Sequence, residues 1–504
     1  MSPRLLVILL ILAAHSAATG RETPPPLLAG AARIDITHPD HPSPSCPLRA
    51  RALAFEQPEN GRSALVIAID VVALAEIGPL RDPFLARVRS RIEESTGIPA
   101  DSIIVNASHC HGIPCEDVED RVVAVAEEAW SRRVAVRSGA GAGHEDRISE
   151  NRRLELVDGG QADVRHAYAM PADEDVAAVG PIDPEIGVLR LDRADEGTPL
   201  AVVFQFACHP IQGVPGGGNT PDLTGFAAQV IEENLGPDCI ALFLQGCAGD
   251  INPAHYKTVD RPRDAEYHGN RLGLATLKAA RAIETRPGSG FHVRCRSLPL
   301  PRADLSERIA AMESELDDLL DSLRGTSLNL KTFLPLYVKY HLFPDAPSHY
   351  RHRYLQDESI GREDWNHLDA VNRKNLEAYL ANIRTMEEMT RLQINLALLE
   401  KHQARNAEAN MQPVEAELMA LRVGDFRLVT FPGEVTVPVG LAIKGASPHR
   451  YSFVSGYTNG YLYYAPTAAQ LLNRGGAQED SDCLLAPGWE KAFTAAALEL
   501  FDDR

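Results

Sequence analysis

The chain has no Cys-x-x-Cys pair, no internal repeat and no low-complexity tract. These absences argue against a structural zinc knuckle, a solenoid and a disordered linker protein. After the first residues, no stretch approaches the ~18 uninterrupted apolar residues that a membrane-crossing helix needs. Positive charge is also short. Lys and Arg number 50 against 69 Asp and Glu, a formal net charge of −19. Such a surface, taken as a whole, disfavours nucleic acid or an anionic membrane as an electrostatic partner. It does not constrain a local patch. What is present is a globular composition, 44% hydrophobic and 24% charged over 504 residues. That is ample for a sizeable core.

Arg4 precedes an apolar run, Leu5 to Ala14, followed by the small residues Ser16-Ala17-Ala18-Thr19-Gly20. This reads as an export signal over residues 1–20, with no cysteine behind it to take a lipid. A freed protein, periplasmic or secreted, is the expectation. Its eight cysteines then have two readings. Cys110 with Cys115, and Cys208 with Cys247, are candidate bridges. Alternatively, all are small buried hydrophobes.

From about residue 28 to 300, strand-like and helix-like segments alternate. Ser63–Asp70, Ser102–His111, Leu200–His209 and Cys239–Gln245 read as strands. Phe84–Gly97, Val118–Arg133, Asp222–Leu235 and His268–Glu284 read as helices. The expected fold is α/β, a largely parallel or mixed sheet flanked by helices. Residues 302–406 differ. Two long polar-rich helical stretches enclose an aromatic linker, and together they read as an inserted helical hairpin. It could act as a lid whose Phe333, Tyr337, Tyr340 and Phe343 meet an apolar substrate, or as a packing or oligomerisation element. Glu415–Pro432 reads as a β-hairpin turning at Gly424-Asp425, so residues 410–504 are expected to rejoin the first domain.

The strand-like runs end in chemistry. The first ends at Asp70, the second at His109-Cys110-His111 and the third at His209-Pro210. The fourth is followed by Gly246-Cys247-Ala248-Gly249-Asp250. Ligands of open α/β sheets bind at the carboxyl ends of strands, and a parallel sheet would gather these ends. In a strand, His-x-His puts both rings on one face with Cα atoms about 6.6 Å apart. One ring could then bind a metal while the other faces a reacting group. His209 offers a third imidazole.

Asn106-Ala-Ser-His-Cys-His-Gly-Ile-Pro114 resembles a histidine motif of the neutral ceramidases, the alkaline non-lysosomal type. Phe206-Ala-Cys-His-Pro210, Gln245-Gly-Cys-Ala-Gly-Asp-Ile-Asn-Pro253, Phe431-Pro-Gly-Glu-Val-Thr436, Asn459-Gly-Tyr-Leu-Tyr-Tyr-Ala-Pro-Thr467 and Asn151-Arg152-Arg153 are similar to further segments of that family. They occur in its order, over roughly residues 28–500. The resemblance implies one zinc ion held by His109, His209, Glu434 and Tyr464. It implies His111 as the active-site histidine and Arg152 as a substrate-orienting arginine. Two His and a Glu with an open position are also the donor set of a catalytic zinc site. Asp70 and Asp250 are candidates to orient a ligand imidazole from behind, or simply to cap a turn.

The chain departs from the family pattern at defined places. Asn252 stands where the family has its serine, and an amide is no nucleophile; it can still donate to an oxyanion. The second family tyrosine falls at Gly476. The family's carboxy-terminal immunoglobulin-like domain has no counterpart before Arg504, and the 302–406 insertion is an addition. The implied substrate is a ceramide or another N-acyl amide. Two other readings stay open: a metal-dependent hydrolase of a different ester or amide, and a metal-containing lipid- or sugar-binding protein without turnover. The sequon Asn106-Ala-Ser108 lies in a strand expected to be buried, which argues against its glycosylation.

Overall fold

Apolar strands and amphipathic helices build an α/β fold, seen in a computed structural model. It describes residues 26–502 apart from 164–170, 214–217, 257, 259–262, 289, 346–352, 363 and 473–476. The expected export signal and Gly476 lie outside the described residues. In chain order, β1 (Leu27–Asp35), β2 (Arg49–Gln57), β3 (Arg62–Ile69), α1 (Phe84–Thr96), β4 (Ile103–Ala107), α2 (Val118–Ser131) and β5 (Val134–His144) come first. Short strands β6 (Ser149–Asn151), β7 (Arg153–Leu156), β8 (Gln161–Asp163) and β9 (Val176–Val179) follow. Next are β10 (Glu185–Arg193), β11 (Pro199–Phe206), α3 (Asp222–Leu235), β12 (Ile240–Gln245), β13 (Ile251–Pro253), α4 (Ala265–Ala282) and β14 (Phe291–Leu300). The inserted helices are α5 (Ser306–Ser322), α6 (Leu330–Leu342), α7 (Arg353–Ser359) and α8 (Asp364–Glu408). The chain closes with β15 (Val414–Val423), β16 (Phe426–Thr430), β17 (Glu434–Val435), α9 (Val437–Ala446), β18 (Tyr451–Ser455), β19 (Tyr464–Ala465), α10 (Ala468–Leu471), α11 (Gln478–Ser481) and α12 (Gly488–Phe501).

Two sheets stack between two layers of helices. The large sheet has eight strands in the order β12-β11-β10-β5-β1-β2-β3-β4. It is mixed: parallel at both ends, β11 with β12 and β3 with β4, and antiparallel between. Strand period two explains its layering. Leu65, Ile67 and Ile69 of β3 face Val88 and Ile92 of α1 and Val122 and Ala126 of α2. The alternate residues Ala64, Val66 and Ala68 face Leu421, Phe426 and Leu428 of the second sheet. That sheet runs β14-β15-β16-β18. Its far face, with Leu418, Val429 and Phe431, packs on Ile443 of α9 and on Trp489 and Phe493 of α12.

The mixed sheet changes how the strand ends meet. β3–β4 and β11–β12 lie at opposite edges, so parallel order alone cannot gather them. The sheet rolls until its edges meet instead. The Gln245 N–H at the end of β12 donates to Asn106 Oδ1 of β4 at 3.1 Å, and the Gln245 carbonyl accepts from Gly456 N at 3.1 Å.

The insertion is spliced between neighbouring strands, since β14 and β15 pair from Phe291↔Val423 to Leu300↔Val414. Its helices α5 and α8 share a small core of Met312, Leu392 and Leu399 with Ala303 and Leu305. The aromatic stretch read as a linker corrects to helix α6, started by a capping box at Asn329 and Thr332. The hairpin turn at Gly424-Asp425 is present, with Gly424 at φ 59°.

Candidate metal centre

Strand β4 stops at Ala107, two residues before the first histidine, and β11 stops at Phe206, three before the second. The His-x-His pair therefore does not share a strand face. His109 takes a left-handed backbone, φ 68°, which turns its ring inward while His111 stays exposed. The two ring centroids are 5.8 Å apart. His109, His209 and Glu434 come together from three distant segments, all buried, with one donor atom from each within 4.8 Å of the others. His209 Nε2 lies 3.1 Å from Glu434 Oε2, and His109 Nε2 lies 3.6 Å from the same oxygen.

The backs of both rings are fixed by main chain. His109 Nδ1 meets the Val72 carbonyl at 2.6 Å, and His209 Nδ1 meets the Ile251 carbonyl at 3.0 Å. A carbonyl only accepts, so each Nδ1 carries a proton, and in the neutral ring Nε2 then turns a lone pair inward. Burial pushes the His109 imidazole down to about 4, despite the Glu434 charge. Burial opposes the Glu434 charge, yet its carboxyl lies below the usual carboxylate range, with the Tyr461 hydroxyl donating to it. A neutral imidazole lone pair thus faces a carboxylate oxygen, acceptor against acceptor. A cation between them resolves that conflict. Ligands about 2.0 Å from a tetrahedral zinc sit roughly 3.3 Å apart, which matches the 3.1 and 3.6 Å separations. The residues fit the ion.

Two tyrosines that the motif reading did not single out hold the carboxylate. Tyr461 donates its hydroxyl to Glu434 Oε1, and Tyr457 donates to Oε2 at 3.3 Å. Burial and Glu434 push both phenols well up, so both stay donors. The Tyr457 ring also lies 4.3 Å from that of His109. Tyr457, Asn459 and Tyr463 all have positive φ. Backbone strain of this kind gathers at functional sites, at roughly 1–3 kcal/mol per residue.

Arg152 is almost fully buried. Its Nε donates to Glu479 at 2.6 Å, one Nη to Asn252 Oδ1 at 3.2 Å and the other to the Tyr464 hydroxyl at 3.2 Å and the Gly249 carbonyl. Asn252 is paired opposite Glu150 in the β13–β6 ladder. Tyr464 is the register partner of Glu434 in the parallel β17–β19 pair, which places it beside the cluster. Glu479 carries no sequence signal; it sits in the short α11, fully buried.

The two aspartates do not touch the imidazoles. Asp70 accepts from Arg49 N at 2.9 Å and from Arg51 at 3.4 Å. Asp250 accepts from Val437 N at 2.7 Å, starting α9, and from Asn151 at 3.1 Å. The capping alternative describes Asp250, and backbone carbonyls do the orienting. All eight cysteines are free, and all but Cys295 are buried. The proposed Cys110–Cys115 and Cys208–Cys247 bridges are absent, and the buried-hydrophobe reading is the one found. Asn106 is fully buried and donates to Ser455, Gly456 and Thr458, so the sequon is sealed in the fold. At the base of the insertion, His402 of α8 packs its ring 4.7 Å from Tyr463. The aromatic residues of α6 are elsewhere. Phe333 stacks on Tyr379, about 35 Å of helix away from His402 at 1.5 Å per residue.

Layered α/β/β/α architecture surrounds a buried two-histidine, one-carboxylate cluster whose donor set suits a metal ion. Two solved structures share the fold. A neutral ceramidase from Pseudomonas aeruginosa matches at TM-score 0.57 and 17% identity, covering 94% of this chain and 74% of that one. A ceramidase complexed with C2 matches with the same figures. The chain therefore has the neutral ceramidase fold. No protein-family profile and no curated protein matches its sequence.

Proposed function

We propose that this chain is an exported metal-dependent hydrolase that cleaves the C–N bond of a ceramide-type N-acyl amide. Zinc is the proposed ion, held by His109, His209 and Glu434 with Tyr464 as a fourth ligand. One observation carries the reading. Two imidazoles pinned through Nδ1 aim their Nε2 atoms at one buried carboxylate, in a chain with the neutral ceramidase fold. Bound zinc polarises a carbonyl and brings water's deprotonation toward neutral pH.

The chain's own groups supply the rest. Tyr457 and Tyr461 stop Glu434 from rotating. Asn252 cannot form an acyl intermediate, so the oxygen of water bonds directly to the carbonyl carbon while its proton passes to His111. The C–N bond then breaks, and exposed His111 delivers a proton to the departing nitrogen. Arg152 acts through the groups it holds: it fixes the Tyr464 hydroxyl as a ligand, and by engaging Asn252 Oδ1 it leaves the Asn252 amide N–H to donate to the developing oxyanion.

Elemental analysis of the purified protein should find one zinc per chain, lost on His209→Ala. A panel of N-acyl amides, esters and glycan derivatives should show amide cleavage that disappears on chelation. Full activity in His109→Ala, or protein without metal, overturns the reading. Asn252 favours a second reading, in which the same centre acts on another amide or on an ester, and the panel separates the two. Metal without turnover, together with tight lipid or sugar binding, would instead indicate a binding protein.

A further inference from the structure

Helix α6 shows an apolar face that nothing among the described residues covers. Leu330, Leu334, Tyr337, Val338 and Leu342 follow helical spacing along one side. Phe343 ends the helix, and Leu330 and Leu342 are each 63% exposed. The adjoining flank does the packing: Phe333 stacks on Tyr379 at 4.4 Å and on Tyr337 at 5.5 Å, and Tyr340 donates to Asp369. The outward residues are therefore not a misplaced core. Charge singles out the same element. From Leu323 to Pro344 the sequence has Arg324, Lys331 and Lys339 and no Asp or Glu, in a chain of net charge −19.

We infer that α6 is a docking helix for the surface of an anionic phospholipid bilayer. Its Leu, Tyr and Val face enters the headgroup boundary while Lys331 and Lys339 reach the phosphates. The acidic remainder of the protein is repelled by such a surface, which limits contact to this tip. A helix of 13 residues is too short to span, so it lies in the plane of the interface. Docking gives the enzyme access to an amide that resides in a membrane, and in that purpose the inference rests on the lipid-amide reading above.

The test is cosedimentation of the full chain with vesicles of phosphatidylglycerol and phosphatidylcholine, and with phosphatidylcholine alone. Wild type should bind the anionic vesicles more tightly, and high salt should remove the difference. Leu334→Glu and Leu342→Glu should each weaken binding to both vesicles by about tenfold or more. Lys331→Gln and Lys339→Gln should each weaken binding to anionic vesicles alone, by roughly fivefold. Leu334, Leu342 and Lys331 are exposed, so their variants should leave melting curves unchanged; Lys339 is half-buried near Asp369, and its variant is read only if its melting midpoint matches wild type. Wild type that ignores vesicles, or variants that bind as well as wild type, overturns the inference. So does self-association abolished by the leucine variants without vesicle binding, because a second copy would then be the occupant. Turnover of a water-soluble short-chain amide keeps the two readings apart. Cleavage without vesicle binding defeats the docking helix alone; vesicle binding lost in the variants, with no cleavage by wild type, defeats the hydrolase reading alone.

Discussion

Gln245→Leu tests how the centre is assembled. The Gln245 side chain is fully buried. Its Nε2 donates to the Ser108 carbonyl at 3.2 Å and to the Cys208 carbonyl at 2.9 Å. Those carbonyls belong to the residues immediately before His109 and His209, so one amide sets the spacing of two proposed ligands. Leucine keeps the volume and leaves two buried acceptors without their donor, at about 1–3 kcal/mol each. The Gly246 N–H, which donates to Gln245 Oε1, keeps the Phe206 carbonyl at 2.9 Å. The expected loss of stability is therefore about 2–6 kcal/mol in chemical denaturation. If the amide positions the ligands, zinc affinity measured by chelator competition should also fall roughly 10–100-fold. Gln205→Leu is the control. It too is buried and loses one bond, to Val454 O at 3.0 Å, but it holds neither ligand-bearing turn. It should lose stability with zinc affinity unchanged. A folded Gln245→Leu protein with wild-type zinc affinity would refute the positioning role, and equal affinity losses in both variants would reduce it to general packing.

Glu479→Gln leaves the Arg152 guanidinium buried without its carboxylate, and denaturation should show a loss of about 3–5 kcal/mol. Asp222 is a buried carboxyl raised to about 6 by desolvation, against the pull of the Gly213 and Leu223 N–H groups. Its native pKa exceeds the unfolded one, so the native state binds the extra proton and this group's contribution weakens as pH rises from about 4 to 6. Relative to wild type, Asp222→Asn should gain about 3 kcal/mol between pH 4 and 7; a pH-independent difference would remove Asp222 as the source. Denatured protein should titrate eight thiols without reductant, and reductant should leave the melting midpoint in place. Fewer thiols would restore the bridge reading.

His109 and His209 were legible because each follows an apolar run, where an ionisable side chain needs a reason to be buried, whereas Glu434 was legible only through the family resemblance. Their supports were not. Val72 and Ile251 orient the imidazoles through carbonyls, which every residue possesses. Side chains in the sequence pointed instead to Asp70 and Asp250. The tyrosines on Glu434 sit in a turn of positive φ, where no periodicity tells Tyr461 from Tyr463 or Tyr464. Strand β5 was missed because its glycines weaken the β pattern. They are there for close approach, since a Cβ on Gly139 would meet Ile283 Cγ2 at 2.5 Å. The aromatic stretch of α6 passed for a linker because its apolar face has no partner among the described residues, whereas helix periodicity is usually read as burial.

Gln245 shows where reading along the chain runs out. A polar residue closing an apolar strand is visible in the sequence, and burial then demands hydrogen-bond partners for it. Nothing local names those partners. They lie 137 and 37 residues away: Cys208 follows β11, the neighbour of β12, but Ser108 follows β4 at the other end of the sheet order and meets Gln245 only because the sheet rolls. Side-chain chemistry at the centre can be anticipated from residue type and spacing. Its geometry depends on main-chain contacts between distant segments, so the same ligands on a flatter sheet would be three separate buried polar groups rather than one donor set.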